Sequence, residues 1–418
     1  MKVLLKQATI VNSSSPFNGL AKDIYIKDGI ITAIADSITE KADKVIDTKN
    51  LSVSIGWMDI FSHFCDPGYE HRETLESGAR AAAAGGFTEV MVVPNTNPVV
   101  HSKSQIEYII QKSKDFAVTI YPIGAITKNA EGKELAEMYD MHQSGAIAFS
   151  DGIHSIQQPG VLLKALQYVL AFDGTVIQLP EDKSISPHGL MNEGIISTQL
   201  GLPGKPAIAE ELMIARDIEL VKYTGSKIHF TGVSTKKSIE LIAKAKADGL
   251  KVSCSVTPYH IFFCDEDLIT YDTNLKVNPP LRTKEDMLSL REAVKNGTVD
   301  CFSSHHIPQN TDSKICEFEY AKNGMIGLES LFGSVLSIVS NTKSVVDLLT
   351  IAPRNIFGIA IPEIKEGAHA NLTLFDSSNE FIFEEAMIRS KSKNSAFIGK
   401  KLKGKVIGII NGSKLELN

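Results

Sequence analysis

The chain has 418 residues, 43% of them hydrophobic, a formal net charge of −6 and five cysteines. That length allows one large domain with a smaller one beside it. The charge gives no footprint for nucleic acid, no apolar run reaches membrane-spanning length, and an odd cysteine set without Cys-x-x-Cys spacing reads as reduced thiols.

The first 50 residues read as short strands: Lys2–Val11, Asp23–Lys27 and Ile30–Ala35, the last two joined by a Lys-Asp-Gly turn. The first segment alternates like a strand and lacks a signal-peptide cleavage pattern, so a cytoplasmic location is expected. Ala370–Asp376 and Lys405–Asn411 match these strands in style at the other end. Residues 1–52 and 358–418 are therefore expected to combine into a small β-domain.

The middle, residues 53–357, alternates short apolar runs with helix-period stretches, the signature of βα units and a parallel sheet. Strands are expected at Gly56–Phe64, Thr88–Asn95, Val118–Ile123, Ala146–Asp151, Thr175–Leu179, Lys227–Thr231, Lys251–Val256 and Val299–Ser303. Helices between them include Glu73–Ala84, Ser104–Lys114, Gln158–Ala171, Glu210–Tyr223, Thr235–Asp248 and Lys284–Asn296. Such a series predicts an α/β fold, a (β/α)8 TIM-type barrel with its site at the C-terminal strand ends.

Those ends carry Asp59, His63 and Cys65, then Pro94-Asn-Thr-Asn97, Phe149-Ser-Asp-Gly152, Gln178-Leu-Pro-Glu-Asp182, Thr231-Gly-Val-Ser-Thr235, Thr257-Pro-Tyr-His260 and Ser303-Ser-His-His-Ile-Pro308. With Met191-Asn-Glu-Gly194, Val277-Asn-Pro-Pro-Leu-Arg282 and Ser390-Lys-Ser-Lys-Asn394, the chain resembles the dihydroorotases of the cyclic amidohydrolase superfamily over its whole length. The resemblance implies a composite β-sandwich built from both termini beside the barrel, and zinc as the family's cofactor.

The departures are specific. Where the family's His-x-His-x-Arg segment supplies two zinc ligands and an arginine for the substrate carboxylate, this chain has Phe61, His63 and Cys65. The family's strand-five histidine is matched to Gln178, the strand-six histidine to Gly232, the strand-eight aspartate to His305 and the last histidine of that segment to Gln309. Asp151, at a metal-facing position in many relatives, and Asn95, a substrate contact in the family, are kept; Asn278 is a further substrate-binding candidate.

Hydrolysis or closure of a cyclic amide needs an activated water, a polarised carbonyl and a general acid/base. Phe61 and Gly232 do not coordinate zinc, a glutamine is a poor ligand, and a cysteine does not form an arginine's bidentate bond to a carboxylate. His63, Asp151 and His305, with Cys65 as a soft fourth ligand, are the residues that could still hold one ion, and the expectation is that they are vestigial. His305, at the family's aspartate position, is the one candidate for a catalytic role. Structural roles are expected for His260, His306 and the Glu181-Asp182 pair, and His229 is assigned none.

The sequence therefore predicts a dihydroorotase-like chain of pyrimidine biosynthesis that has lost its catalysis. The resemblance implies aspartate transcarbamoylase as its partner, with an isologous homodimer as the default assembly. The alternatives are an active cyclic amidohydrolase with a remodelled metal site and a small-molecule sensor using the emptied pocket.

Overall fold

The computed structural model describes residues 1–418. Its first sheet draws strands from both ends of the chain. Lys2–Ile10, Ala21–Lys27 and Ile30–Ala35 form one side; Asn371–Ile382, Lys401–Asn411 and Lys414–Leu417 form the other. The seam is Ser52–Ile55, parallel to Lys2–Ile10 and antiparallel to Asn371–Ile382. Alternation places Val3, Leu5, Ile24, Val53, Leu372 and Ile410 in one buried cluster, which holds the two termini together. The terminal sheet therefore runs to Ile55, beyond the boundary expected at residue 52. The 7-residue strand expected near Ala370 also continues to Ile382, because Glu380–Ile382 resume pairing with Lys401–Lys403 after an irregularity.

The second sheet is parallel and takes its strands in chain order: β1 Trp57–Ser62, β2 Phe87–Val92, β3 Thr119–Gly124, β4 Ala148–Phe149, β5 Thr175–Gln178, β6 Lys227–Phe230, β7 Val252–Val256 and β8 Cys301–Phe302. A parallel bridge between Ser62 and His306, with the His63 N–H donating to the His306 carbonyl at 2.8 Å, joins the last strand back to the first. Asp59 reinforces that closure: its carboxylate accepts from the Ser62 hydroxyl at 2.7 Å and from the Ser304 N–H at 2.6 Å.

The strands' apolar side chains divide between two cores. Met58, Phe61, Met91, Ile123, Ala148, Ile177 and Cys301 fill the barrel. Val90, Ile120, Val176 and Ile228 face outward against Ala81, Ile109, Leu166, Ile214, Ile242 and Leu290 of the surrounding helices. Helix Leu75–Ala84 starts two residues later than the sequence suggests, since the Thr74 hydroxyl caps it by accepting from the Ser77 N–H. No helix is long and apolar enough to cross a membrane.

Candidate functional site

The C-terminal strand ends open into a cavity of about 810 Å³ lined by residues including His63, Arg72, Leu179, Lys205, Asn278 and Gln309. Its floor is where the family's metal would be held. Just below, Phe61 and His305 stack, ring centroids 4.5 Å apart and planes 28° apart, both fully buried. His305 Nε2 shares a hydrogen bond with Thr231 Oγ1 at 2.8 Å, while Nδ1 has no partner. Burial, with His260 and His229 nearby, holds its pKa down at about 3, so the ring is neutral.

His63 is engaged at both ring nitrogens. The Cys65 N–H donates to Nδ1 at 3.0 Å, which fixes the proton on Nε2, and Nε2 donates to the Asn95 carbonyl at 3.0 Å. The Cys65 thiol also lies 3.0 Å from Nδ1. Burial and the nearby Arg72 guanidinium push His63 to about 3, and burial lifts Cys65 to about 12. A neutral thiol against a neutral imidazole is not an activated nucleophile.

Asp151 is tied elsewhere. Its two oxygens accept from the Thr127 N–H at 2.9 Å and the Thr127 hydroxyl at 2.5 Å, and burial raises its pKa. The structure thus does not gather His63, Asp151 and His305 into a ligand set. No group of three or more His, Cys, Asp or Glu side chains is arranged to hold a metal ion. Zinc does not fit this mouth as it stands: His63 and Asp151 are spent on protein partners, His305 Nδ1 alone is free, and Phe61, Leu179 and Gly232 offer no ligand atom.

Two sequence expectations need correction. Gln178 is not the residue that replaces a ligand. Along β5, Val176 faces the helices and Ile177 the barrel interior, so Gln178 turns outward again. Its Nε2 donates to Asp217 Oδ2 at 3.2 Å, on helix Ile208–Thr224, and Leu179 faces the cavity instead. Asn95 is not free for a substrate. Its Nδ2 donates to the Asp151 carbonyl at 2.9 Å and its Oδ1 accepts from the Ile153 N–H at 2.9 Å, clipping two loops together.

Asn278 does line the cavity. Its Oδ1 accepts from Lys205 Nζ at 2.8 Å and its Nδ2 donates to Glu181 Oε2 at 2.9 Å, while Lys205 and Glu181 form an ion pair. Glu181 is therefore a wall residue neutralised by Lys205. Gln309 donates from Nε2 to the Asn323 carbonyl at 2.7 Å and accepts from Arg72 Nη1 at 3.3 Å. Sequence reading missed Arg72, Leu179 and Lys205. For Leu179 the alternation of β5 is a usable signal; Arg72, from a loop, and Lys205, from the two-residue strand Gly204–Lys205, carry none.

His260 Nε2 donates to the Pro279 carbonyl at 3.1 Å, so its Nδ1 accepts from the Thr257 hydroxyl at 2.8 Å, and His306 accepts from the Gly327 N–H at 3.3 Å. His229 bridges the Ser253 and Ser255 hydroxyls at 2.9 and 3.0 Å inside the barrel.

Comparison with known proteins agrees with this frame. The family model described as Dihydro-orotase-like matches residues 52–238. A dihydroorotase of Pelotomaculum thermopropionicum is 40% identical over 425 aligned residues, covering 100% of this chain and 99% of its own. That of Aquifex aeolicus is 38% identical, covering 99% of each chain. Among solved structures, an L-hydantoinase (dihydropyrimidinase) from Arthrobacter aurescens superposes with a TM-score of 0.82 at 22% identity, over 100% of this chain and 97% of its own, which is a likeness of fold. By its sequence identity across nearly its whole length, the chain belongs to the dihydroorotase family.

Proposed function

We propose that this chain is a dihydroorotase-family barrel of pyrimidine biosynthesis that has lost zinc-dependent ring chemistry and acts as a structural partner of aspartate transcarbamoylase. One observation carries the reading: the mouth positions that should ligate metal hold Phe61, Leu179, Gly232 and His305, with the Phe61 and His305 rings stacked. Without a metal nothing there lowers the pKa of water or polarises a ring carbonyl. The barrel stays fully packed, which supports a rigid surface for a partner, and a homodimer is the assembly expected with it. The test is co-purification with aspartate transcarbamoylase from the native cell, alongside a dihydroorotase assay in both directions. Inactive protein that recovers the transcarbamoylase supports the reading; a chain that comes down alone defeats the partner assignment.

The second reading is an active cyclic amidohydrolase with a remodelled metal site. It is favoured by the buried His305 Nδ1, which has no protein partner. About one zinc per chain, the stoichiometry of a mononuclear site, together with turnover lost in His305→Ala, would establish it.

A further inference from the structure

Four of the chain's five most exposed large apolar side chains gather on one face: Ile195, Ile269, Ile315 and Tyr320, at 77, 65, 79 and 71% exposure. They sit on three segments that are tied together. Helix Ile195–Leu200 packs on the turn Asp265–Thr270, and the Tyr271 hydroxyl donates to the Leu200 carbonyl at 2.8 Å. The Lys314 ammonium donates to the Thr273 carbonyl at 2.8 Å, holding the 311–320 loop against the same turn. The Tyr271 and Phe318 rings lie 6.5 Å apart across that junction. Beneath, Met191, Leu268, Leu275 and Phe318 share one buried cluster, so the apolar face stands on a packed base. A contiguous patch of this kind marks a contact surface, whereas single exposed apolar residues do not.

Acids surround the face. Glu193, Glu266, Asp312, Glu317 and Glu319 are exposed, and none is ion-paired. Over residues 193–200, 265–275 and 311–322 the only lysines or arginines are Lys314, which is buried, and Lys322. A two-fold contact through this face would set the same acids against one another, which argues against a second copy of the chain as occupant. We propose that the face docks a second protein of the opposite pattern, apolar side chains within a ring of lysines and arginines. The inference rests on the reading of this chain as a structural partner, so the protein to test is the aspartate transcarbamoylase of that reading. Ile315 and Tyr320 are the anchors, and the carboxylates around them set charge and register.

The experiment is isothermal titration of the full-length chain with purified aspartate transcarbamoylase from the native organism, with the chain's mass in solution read by light scattering. Ile315→Ser combined with Tyr320→Ser is expected to weaken the complex at least about tenfold, as for lost anchors. Glu266→Lys combined with Glu317→Lys should cost at least about as much, and should blunt the weakening that rising salt produces in the parent complex. Ile382→Ser, an exposed site on the terminal sheet, should bind as the parent does. The salt dependence of the unmodified chain is a readout that survives if a variant does not fold. Equal affinity in folded patch variants, a complex indifferent to salt, or an equal loss in Ile382→Ser overturns this inference and leaves the proposed function standing. Patch variants that turn a homodimer into monomers place the face between two copies and overturn it as well. A parent chain that binds no transcarbamoylase defeats the proposed partner, and this inference with it.

Discussion

The His305 ring fills the space that a side chain on residue 232 would need: a Cβ built on Gly232 would lie 2.5 Å from His305 Cε1. Residue 232 also has φ +69°, a backbone region that non-glycine residues occupy at a cost. The loss of one ligand and the replacement of another are therefore one packing solution. Gly232→Ala should destabilise the protein by about 2–3 kcal/mol, from backbone strain plus overpacking. Adding His305→Ala should relieve the overpacking but not the strain, giving a coupling of about 1 kcal/mol. Chemical denaturation of the four proteins of that cycle measures it, and strict additivity would refute the packing argument.

Restoring the family pattern should require the residues that face the mouth. Phe61→His, Leu179→His, Gly232→His and His305→Asp combined are expected to bind zinc at about one ion or more per chain. The same set with Gln178→His in place of Leu179→His should bind more weakly by at least about tenfold, since even an outer-shell partner of a metal site is worth that much. Competition with a chromophoric chelator compares the two. Equal affinities would mean that residue 178 turns inward after all.

The Gln178 and Leu179 pair shows how far sequence carries. The repeated runs of Val, Ile and Phe announce eight strands, because a barrel buried on both faces leaves an apolar signature on every strand. The strand ends, and most of the vacated positions, follow from that register. What alternation does not supply is the phase at a strand end, where one residue decides between the helix layer and the mouth. Asn95 was misleading for another reason: the residue type is retained, but its amide is spent on the Asp151 carbonyl and the Ile153 N–H. Arg72 was invisible because its place at the mouth depends on loop geometry and on Tyr69 beneath it, with no periodicity to mark it.

Acid should unfold this protein through its buried histidines. Burial pushes His63, His229, His260 and His305 to about 3 in the folded chain, against 6.5 when exposed. Between those values the unfolded chain binds more protons, so stability is full above pH 6.5 and falls as pH drops toward 3. Asp217, raised to about 6 by burial, runs the other way, as do Asp59, Asp151, Glu211, Asp265 and Glu329, whose carboxyls burial also raises. Denaturant midpoints should decline steadily from about pH 7 to about pH 4.5, and His305→Phe should make that decline shallower. A midpoint that stays flat over the range would contradict the neutral, buried imidazoles described here.

Lys314 should make the protein more stable in mild alkali. It is 6% exposed, donates to the Thr273 carbonyl at 2.8 Å and has no carboxylate partner. Burial and the neighbouring Lys276, itself 4% exposed and donating to the Phe318 and Glu319 carbonyls, pull its pKa from 10.5 to about 7. From about 7 upward the folded chain sheds this proton while the unfolded chain keeps it, so stability rises with pH. The gain should approach about 1.4 kcal/mol per pH unit up to about pH 8.5, where unfolded cysteines begin to ionise. That ionisation reverses the trend, since burial lifts Cys65 and Cys254 to about 12 in the folded chain. Replacing Lys314 by Met should flatten the rise while leaving the acid limb unchanged. If the variant and the parent climb equally between pH 7 and about pH 8.5, the buried amine is not the source.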